Sequence, residues 1–159
     1  MANPMYGLNK KDDAIDLVSA GKKLDVVTVT SSITLSEADS GKVYLIGTDA
    51  LTITLPATVK GVYYTFINIG ADGNNIITIS PNASDKIQGS VVTSTTPQAD
   101  AAVANGNVVL ITGADDKDLI NTKATANLGD RVTLLGDGSA GWYIDGGVGV
   151  WAEEALGGN

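Results

Sequence analysis

From Leu24 onward, apolar and polar residues alternate along much of the chain. The segment LTITL places Leu51, Ile53 and Leu55 on one face and Thr52 and Thr54 on the other, as in a strand with one buried face. Similar segments, such as LDVVTVTSSITL, KVYLIG and NVVLITG, recur at roughly 8 to 12 residues, about ten strands in all. The pattern predicts an all-β fold, an antiparallel β-sandwich or jelly roll.

Two Gly-rich turns are predicted to close hairpins. GVYYTFINIG and NNIITIS flank the turn GADGNN, and GDRVTLLGDGSAGWYIDGG contains two strands around a second turn. In the second hairpin Trp142 and Tyr143 are adjacent, so one is expected to face the core and the other the outside or a neighbouring subunit. The segment from Ser94 to Asn107 is predicted to be a long loop.

The first two dozen residues follow a different pattern. NKKDDAIDLVSAGKK has a possible cap at Asn9, early acidic residues and a stop at Gly21, which predicts one short helix within residues 10–20. Residues 1–24 carry a net charge of +1, whereas the body carries −9. We therefore divide the chain into an N-terminal arm at 1–24, a β-sandwich domain at 25–152 and a flexible C-terminal tail at 153–159.

The amino-acid composition excludes more classes of function than any motif does. Thr, Val and Ile make up 44 of the 159 residues, and His and Cys are absent, so the usual general base, thiol nucleophile and zinc ligands are missing. A net charge of −8 with a single arginine argues against a nucleic-acid partner. The residue pattern predicts neither a signal peptide nor a membrane-spanning segment. We expect no enzymatic activity, no cofactor and no membrane partner.

Two acidic groups are the remaining candidates for chemistry. Asp115, Asp116 and Asp118 could hold a calcium ion, but their spacing lacks the pattern of a known calcium loop, so they are a weak metal candidate. Glu153 and Glu154 could act on a sugar, but nothing places them in a cleft. We expect these two glutamates to be a solvated pair.

Four segments in order, ITLSEADSGKVYLI, LTITLPA, GVYYTFINIG with NNIITIS, and GDRVTLLGDGSAGWYIDGG, resemble a β-rich domain of tailed-bacteriophage head decoration (cement) proteins and some fibre proteins. The resemblance covers Ile33 to Gly147. It implies a trimeric structural protein, made in the host cytoplasm, that binds the major capsid protein on the outer surface of the virion and stabilises the capsid. The alternative is a fibre or spike module that binds a host glycan through the loops at Asn74–Asn75 or Gln98–Asp100.

Two groups of apolar residues are candidate contacts. The arm could dock on the capsid through the residues Met5, Tyr6, Leu8, Lys10, Lys11, Ile15, Leu17 and Val18. It could instead pack on its own sandwich, or be a frayed terminus. Val148, Val150 and Trp151 follow the last predicted strand and are expected to form a subunit interface.

Overall fold

The structure, a computed structural model, describes residues 23–94 and 106–154. The predicted helix, nearly all of the arm and the residues after 154 lie outside these ranges, as does most of the predicted loop. The described residues form twelve strands and one 3₁₀ turn, so the all-β prediction is confirmed. The strands are β1 Val26–Val29, β2 Ile33–Thr34, β3 Val43–Ile46, β4 Leu51–Thr54, β5 Tyr63–Asn68, β6 Ile77–Ser80, β7 Lys86–Ser94, β8 Gly106–Ile111, β9 Leu119–Asn121, β10 Arg131–Gly136, β11 Gly141–Val148 and β12 Trp151–Glu153.

These strands form two sheets that pack face to face as a sandwich. The seven-stranded sheet has the order β1-β3-β5-β10-β11-β7-β8, and the five-stranded sheet has the order β12-β9-β6-β4-β2. Within the described ranges no helix has the length and apolar character needed to cross a membrane.

The first six strands alternate between the two sheets. β1, β3 and β5 pair in parallel in one sheet, and β2, β4 and β6 pair in parallel in the other. The chain therefore winds as in a parallel β-helix, with coils of about 20 residues. Antiparallel strands then continue both sheets, because β10 pairs with β5 and β9 pairs with β6.

This winding corrects two sequence-based predictions. The sandwich is mixed rather than antiparallel, and GADGNN does not close a hairpin, because β5 and β6 lie in different sheets. Phe66 of β5 and Ile77 and Ile79 of β6 are all buried in the common core. Alternation shows only that each strand has one buried face. It does not distinguish two strands that pair side by side from two that face each other across a core.

The second predicted hairpin is confirmed. β10 and β11 pair antiparallel around the turn at 137–140, where one carboxylate oxygen of Asp137 accepts hydrogen bonds from the backbone N–H groups of Ser139, Ala140 and Gly141. Gly141 has a φ of 148°, and a Cβ there would clash with the backbone of Lys86. Only glycine allows β11 to approach β7 so closely at this point.

Residues of the closing strand divide between core and surface as predicted. The indole of Trp142 is fully buried, whereas Tyr143 is 46% exposed. Trp142 lies beside Tyr64, with ring centroids 5.4 Å apart, and Phe66 and Tyr44 continue the aromatic cluster. Burial raises the pKa of Tyr64 to about 12, and its hydroxyl donates a hydrogen bond to the carbonyl oxygen of Ser36.

A 3₁₀ turn, Glu37–Asp39, joins the five-stranded sheet at β2 to the seven-stranded sheet at β3. The Asp39 carboxylate accepts hydrogen bonds from the backbone N–H and hydroxyl of Ser36 and from the ammonium of Lys42, at 2.7–2.9 Å. The Lys42 bond, followed by the Ser36 bonds, lowers the pKa of Asp39 to about 2. The ion pair with Lys42 and the hydrogen bonds with Ser36 stabilise the connection between the sheets.

The C-terminal boundary differs from the predicted one. β12 extends to Glu153, and the Glu153 carboxylate accepts hydrogen bonds from the backbone N–H of Ala114, at 2.8 Å, and from the hydroxyl of Thr112. Glu153 therefore belongs to the folded domain and is not part of a solvated pair in a tail. Glu154 lies 3.9 Å from the ammonium of Lys117.

Candidate functional site

The outer face of the five-stranded sheet is polar on its central strands, β4 and β6. Thr52 and Thr54 of β4 alternate with buried Leu51 and Ile53, and β6 repeats the pattern with Thr78 and Ser80 pointing outward. Hydroxyl side chains suit a strand and remain compatible with water. This face has the composition of an ordinary solvated sheet surface.

The outer face of the seven-stranded sheet is largely apolar. One cross-strand row runs through all seven strands, in the order Thr28, Leu45, Ile67, Arg131, Val148, Val92 and Val108. Val148 and Val92 are exposed, and Val108 is 71% exposed. Large exposed apolar surfaces on soluble proteins mark interaction sites. We call this surface the apolar face.

Other rows extend the apolar face. Tyr63, Leu135 and Tyr143 pair across β5, β10 and β11, and all three are exposed. β3 reads VYLI, so both of its faces are apolar. Parallel strands with such continuous apolar runs are usually covered on both faces. β3 therefore has the sequence of a strand in a covered sheet, although its outer residues, Val43 and Leu45, are only partly buried by the described residues.

A groove lies on the apolar face near the start of the described chain. Its cavity volume is about 450 Å³. We call it the sheet groove, and its main lining side chains are Leu24, Val43, Tyr63, Ile67, Arg131 and Val148. Leu24, at 68% exposed, comes just before β1 and forms part of the wall. The sheet groove thus begins where residues 1–22 join the domain.

The polar groups of the groove floor are few. The hydroxyls of Thr65 and Thr133 hydrogen-bond to each other across β5 and β10, with their oxygens 2.9 Å apart. Arg131 is the single arginine of the chain and lies beside this pair in the same groove. Within residues 23–94 and 106–154 it forms no ion pair. The sheet groove therefore offers an apolar floor and one cation.

The three residues predicted to form a subunit interface have different positions. Val148 is exposed in the apolar face, and Val150 is half-buried beside a loop. Trp151 is only 2% exposed, because β12 pairs with β9 and the indole fills the core of its own chain. The prediction for Trp151 is wrong for this reason. The predicted capsid-binding residues, Met5 to Val18, lie outside the described residues.

The three candidate metal-binding aspartates do not converge on one point in the described structure. Asp115 forms an ion pair with Lys86, at 3.3 Å, and burial raises the pKa of Asp118. In the part of the chain that the structure describes, no three acidic side chains converge on one point. The three aspartates therefore do not come together as the group of carboxylates that the sequence suggested for calcium.

Sequence reasoning missed a buried polar network that joins the two sheets. The Asn68 side-chain amide of β5 donates to Asn121 of β9, and the Asn121 amide donates to the carboxylate of Asp130, both at 2.8 Å. Asn68 and Asn121 are fully buried. Such a network requires complete pairing and specifies one alignment of its members. Both asparagines stand at inward positions of apolar strands, and this is the one signal that the sequence offers.

A second cavity lies among loops at the end of the five-stranded sheet. Its volume is about 390 Å³, and its lining includes Asp72, Thr125, Asn127 and Val150. One carboxylate oxygen of Asp72 already accepts a hydrogen bond from the backbone N–H of Leu128, at 2.8 Å. We call this cavity the loop cavity. It combines a few polar groups with small apolar residues.

Comparison with known proteins adds no assignment. A scan against protein-family models finds none that matches the chain, and a search of the curated proteins finds no match. The function of this chain must therefore be inferred from its sequence and from the geometry of its surfaces.

Proposed function

We propose that this chain is a structural virion protein that binds the outer surface of a bacteriophage capsid and stabilises it. The observation that carries the proposal is the apolar face, which spans a seven-stranded sheet and is left exposed by the residues that the structure describes. A surface of this kind suits a protein whose working state is an assembly. The sequence resemblance to head decoration proteins supports a bacteriophage capsid as that assembly. This role requires no catalysis and no cofactor.

The subunits of the proposed homotrimer meet at the β7–β8 end of the apolar face. Val92 of β7 pairs with Val108 of β8, Leu110 is exposed on the same strand, and Val148 adjoins Val92 through β11. β8 is also an edge strand of the sheet. An exposed apolar edge of this kind is prone to uncontrolled pairing unless it is covered. A closed trimer would cover it.

The major capsid protein is the proposed partner of the outermost part of the N-terminal segment. Residues 1–11 contain Met5, Tyr6 and Leu8, and both of their charged residues, Lys10 and Lys11, are cationic. The body of the chain carries −9, so a basic, apolar tip could bind an acidic capsid surface that repels the domain. Three such tips on one trimer would act at a high effective concentration.

The test is a decoration assay with heads that lack the protein. The full chain should sediment with such heads, appear as added density on their exterior by electron microscopy and raise the temperature at which they release DNA. Light scattering should give the mass of three chains. A variant with Lys10→Glu and Lys11→Glu should remain trimeric but fail to bind heads. The matched control is Lys22→Glu with Lys23→Glu, which makes the same charge change outside the tip. Density at the tail alone, or a monomer at micromolar concentration, would contradict the proposal.

The second candidate function is a fibre or spike module that binds a host glycan. The observation in its favour is the loop cavity, where Asp72, Thr125 and Asn127 lie near the exposed Asn74. Of the two asparagines proposed from the sequence, Asn75 is buried and unavailable to a ligand. A glycan array distinguishes the two functions. Specific binding that is lost in Asn127→Ala, without any binding to heads, would establish the glycan module in place of decoration.

A further inference from the structure

We propose that residues 12–18 of the chain's own N-terminal segment bind in the sheet groove, with their aspartates paired to Arg131. Residues 12–18 would then be fixed on the domain, and residues 1–11 would extend from that contact. The inference does not depend on the proposed function, because it concerns contacts within one free chain.

The chemistry of the segment matches that of the groove. Residues 12–18 read DDAIDLV, with three sizeable apolar side chains at Ile15, Leu17 and Val18 and three carboxylates. The groove offers an apolar floor whose threonine hydroxyls are already paired, together with the guanidinium of Arg131. Apolar burial would provide the stabilisation. An arginine–carboxylate pair at the rim of an apolar groove would fix the position of the segment.

The segment is within reach of the groove. Leu24 is itself a wall residue, so only residues 19–23 separate the proposed ligand from its site. Five residues can span up to about 17 Å when extended. Tyr63 on β5 lies two strands from β1 in the sheet, which corresponds to about 10 Å. A short connection of this length gives a high effective concentration and favours the chain's own segment over that of a second copy.

Charge divides the N-terminal segment into parts. Residues 1–11 carry two lysines and no acid, residues 12–18 carry three aspartates and no base, and Lys22 and Lys23 follow. Only the middle part complements a groove whose charged wall residue is Arg131. Ile15, Leu17 and Val18 would then contact the domain rather than the capsid, while Met5, Tyr6, Leu8, Lys10 and Lys11 would stay available.

Because the chain has no cysteine, disulfide trapping can test the contact in the full-length protein. The test variant carries Leu17→Cys with Tyr63→Cys, and the matched control carries Leu17→Cys with Thr54→Cys on the polar face of the other sheet. We expect the test pair to form an intrachain disulfide at least about tenfold faster than the control. The rate should not change on dilution. Thermal melting under reducing conditions verifies that both variants are folded.

A charge exchange tests the role of Arg131. Arg131→Glu should slow trapping of the test pair to the rate of the control pair. Replacing all three aspartates with lysine as well, by D12K, D13K and D16K, should restore fast trapping. Equal rates for test and control pairs, or no effect of Arg131→Glu, would overturn the proposal. Disulfides formed only between chains would also overturn it, because they would assign the groove to a second copy.

Discussion

The two outer faces of this sandwich have similar backbones but opposite surfaces. On the five-stranded sheet, β4 and β6 place Thr52, Thr54 and Thr78 outward, whereas on the seven-stranded sheet β3 places Val43 and Leu45 outward. Both sheets contain three parallel strands from the same coils of the chain. The difference is therefore one of side chains: the same winding of the chain leaves one outer surface polar and the other largely apolar.

The largest expected effect distinguishes the shared core from the apolar face. Trp142→Ala should destabilise the fold by about 3 to 5 kcal/mol, because it removes a fully buried indole. Tyr143→Ala, at the next position, should change the free energy of unfolding by less than about 1 kcal/mol, because that ring is exposed. Urea denaturation of both variants measures the difference. Similar losses would mean that the apolar face already contributes to the fold of the single chain.

The next effect concerns the junction between the two sheets. Asn121→Leu should destabilise the fold by about 2 to 3 kcal/mol. The buried amide of Asn68 would lose its hydrogen-bond acceptor, and the Asp130 carboxylate would lose a hydrogen-bond donor. Asn74→Leu, which alters an exposed asparagine in a loop, should change the free energy by less than about 0.5 kcal/mol. Thermal unfolding is the measurement. A neutral Asn121→Leu would show that the network is dispensable.

A smaller effect on stability, but a clear effect on association, is expected when each outer face receives a charge. Val108→Lys on the apolar face should leave the melting temperature within a few degrees of that of the natural chain. It should convert the proposed trimer to smaller species, because it places a cation in the proposed subunit contact. Thr78→Lys on the polar face should leave the mass unchanged. Light scattering at several concentrations reports both. If the two substitutions behave alike, the faces do not differ in function.

The smallest effect concerns the 3₁₀ turn that joins the sheets. Folding lowers the pKa of Asp39 from 3.8 to about 2, so its contribution to stability is complete above about pH 4 and is lost as the pH falls towards 2. The difference in melting temperature between the natural chain and Asp39→Asn should therefore shrink over that interval. A difference that stays constant from pH 5 to pH 2 would rule out this linkage.

Local patterns in the sequence predicted local structure well. Alternation identified the buried face of β4, and the Gly-rich turn at 137–140 identified the β10–β11 hairpin with Trp142 inside and Tyr143 outside. These features depend on a period of two residues and on turn chemistry, and both are contained in short segments.

Features that depend on distant partners were not predicted. Whether β5 and β6 pair or face each other depends on the whole core, and so does the burial of Trp151 against β9. The network of Asn68, Asn121 and Asp130 joins residues from three separate segments. The sheet groove likewise required the register of β3, β5, β10 and β11. The sequence shows that Arg131 is the single arginine, but it does not show that this residue lies in a groove.

The winding of the first six strands also has a consequence for the order of folding. β1 to β6 pair with strands one coil away, whereas β10 must find β5, and β11 must find β7, across much longer stretches of chain. Closing a short loop loses less chain entropy and is faster. The coils therefore can form early and in succession, as repeats do in solenoid proteins. The later strands, which complete both the sandwich and the sheet groove, would be the last to join.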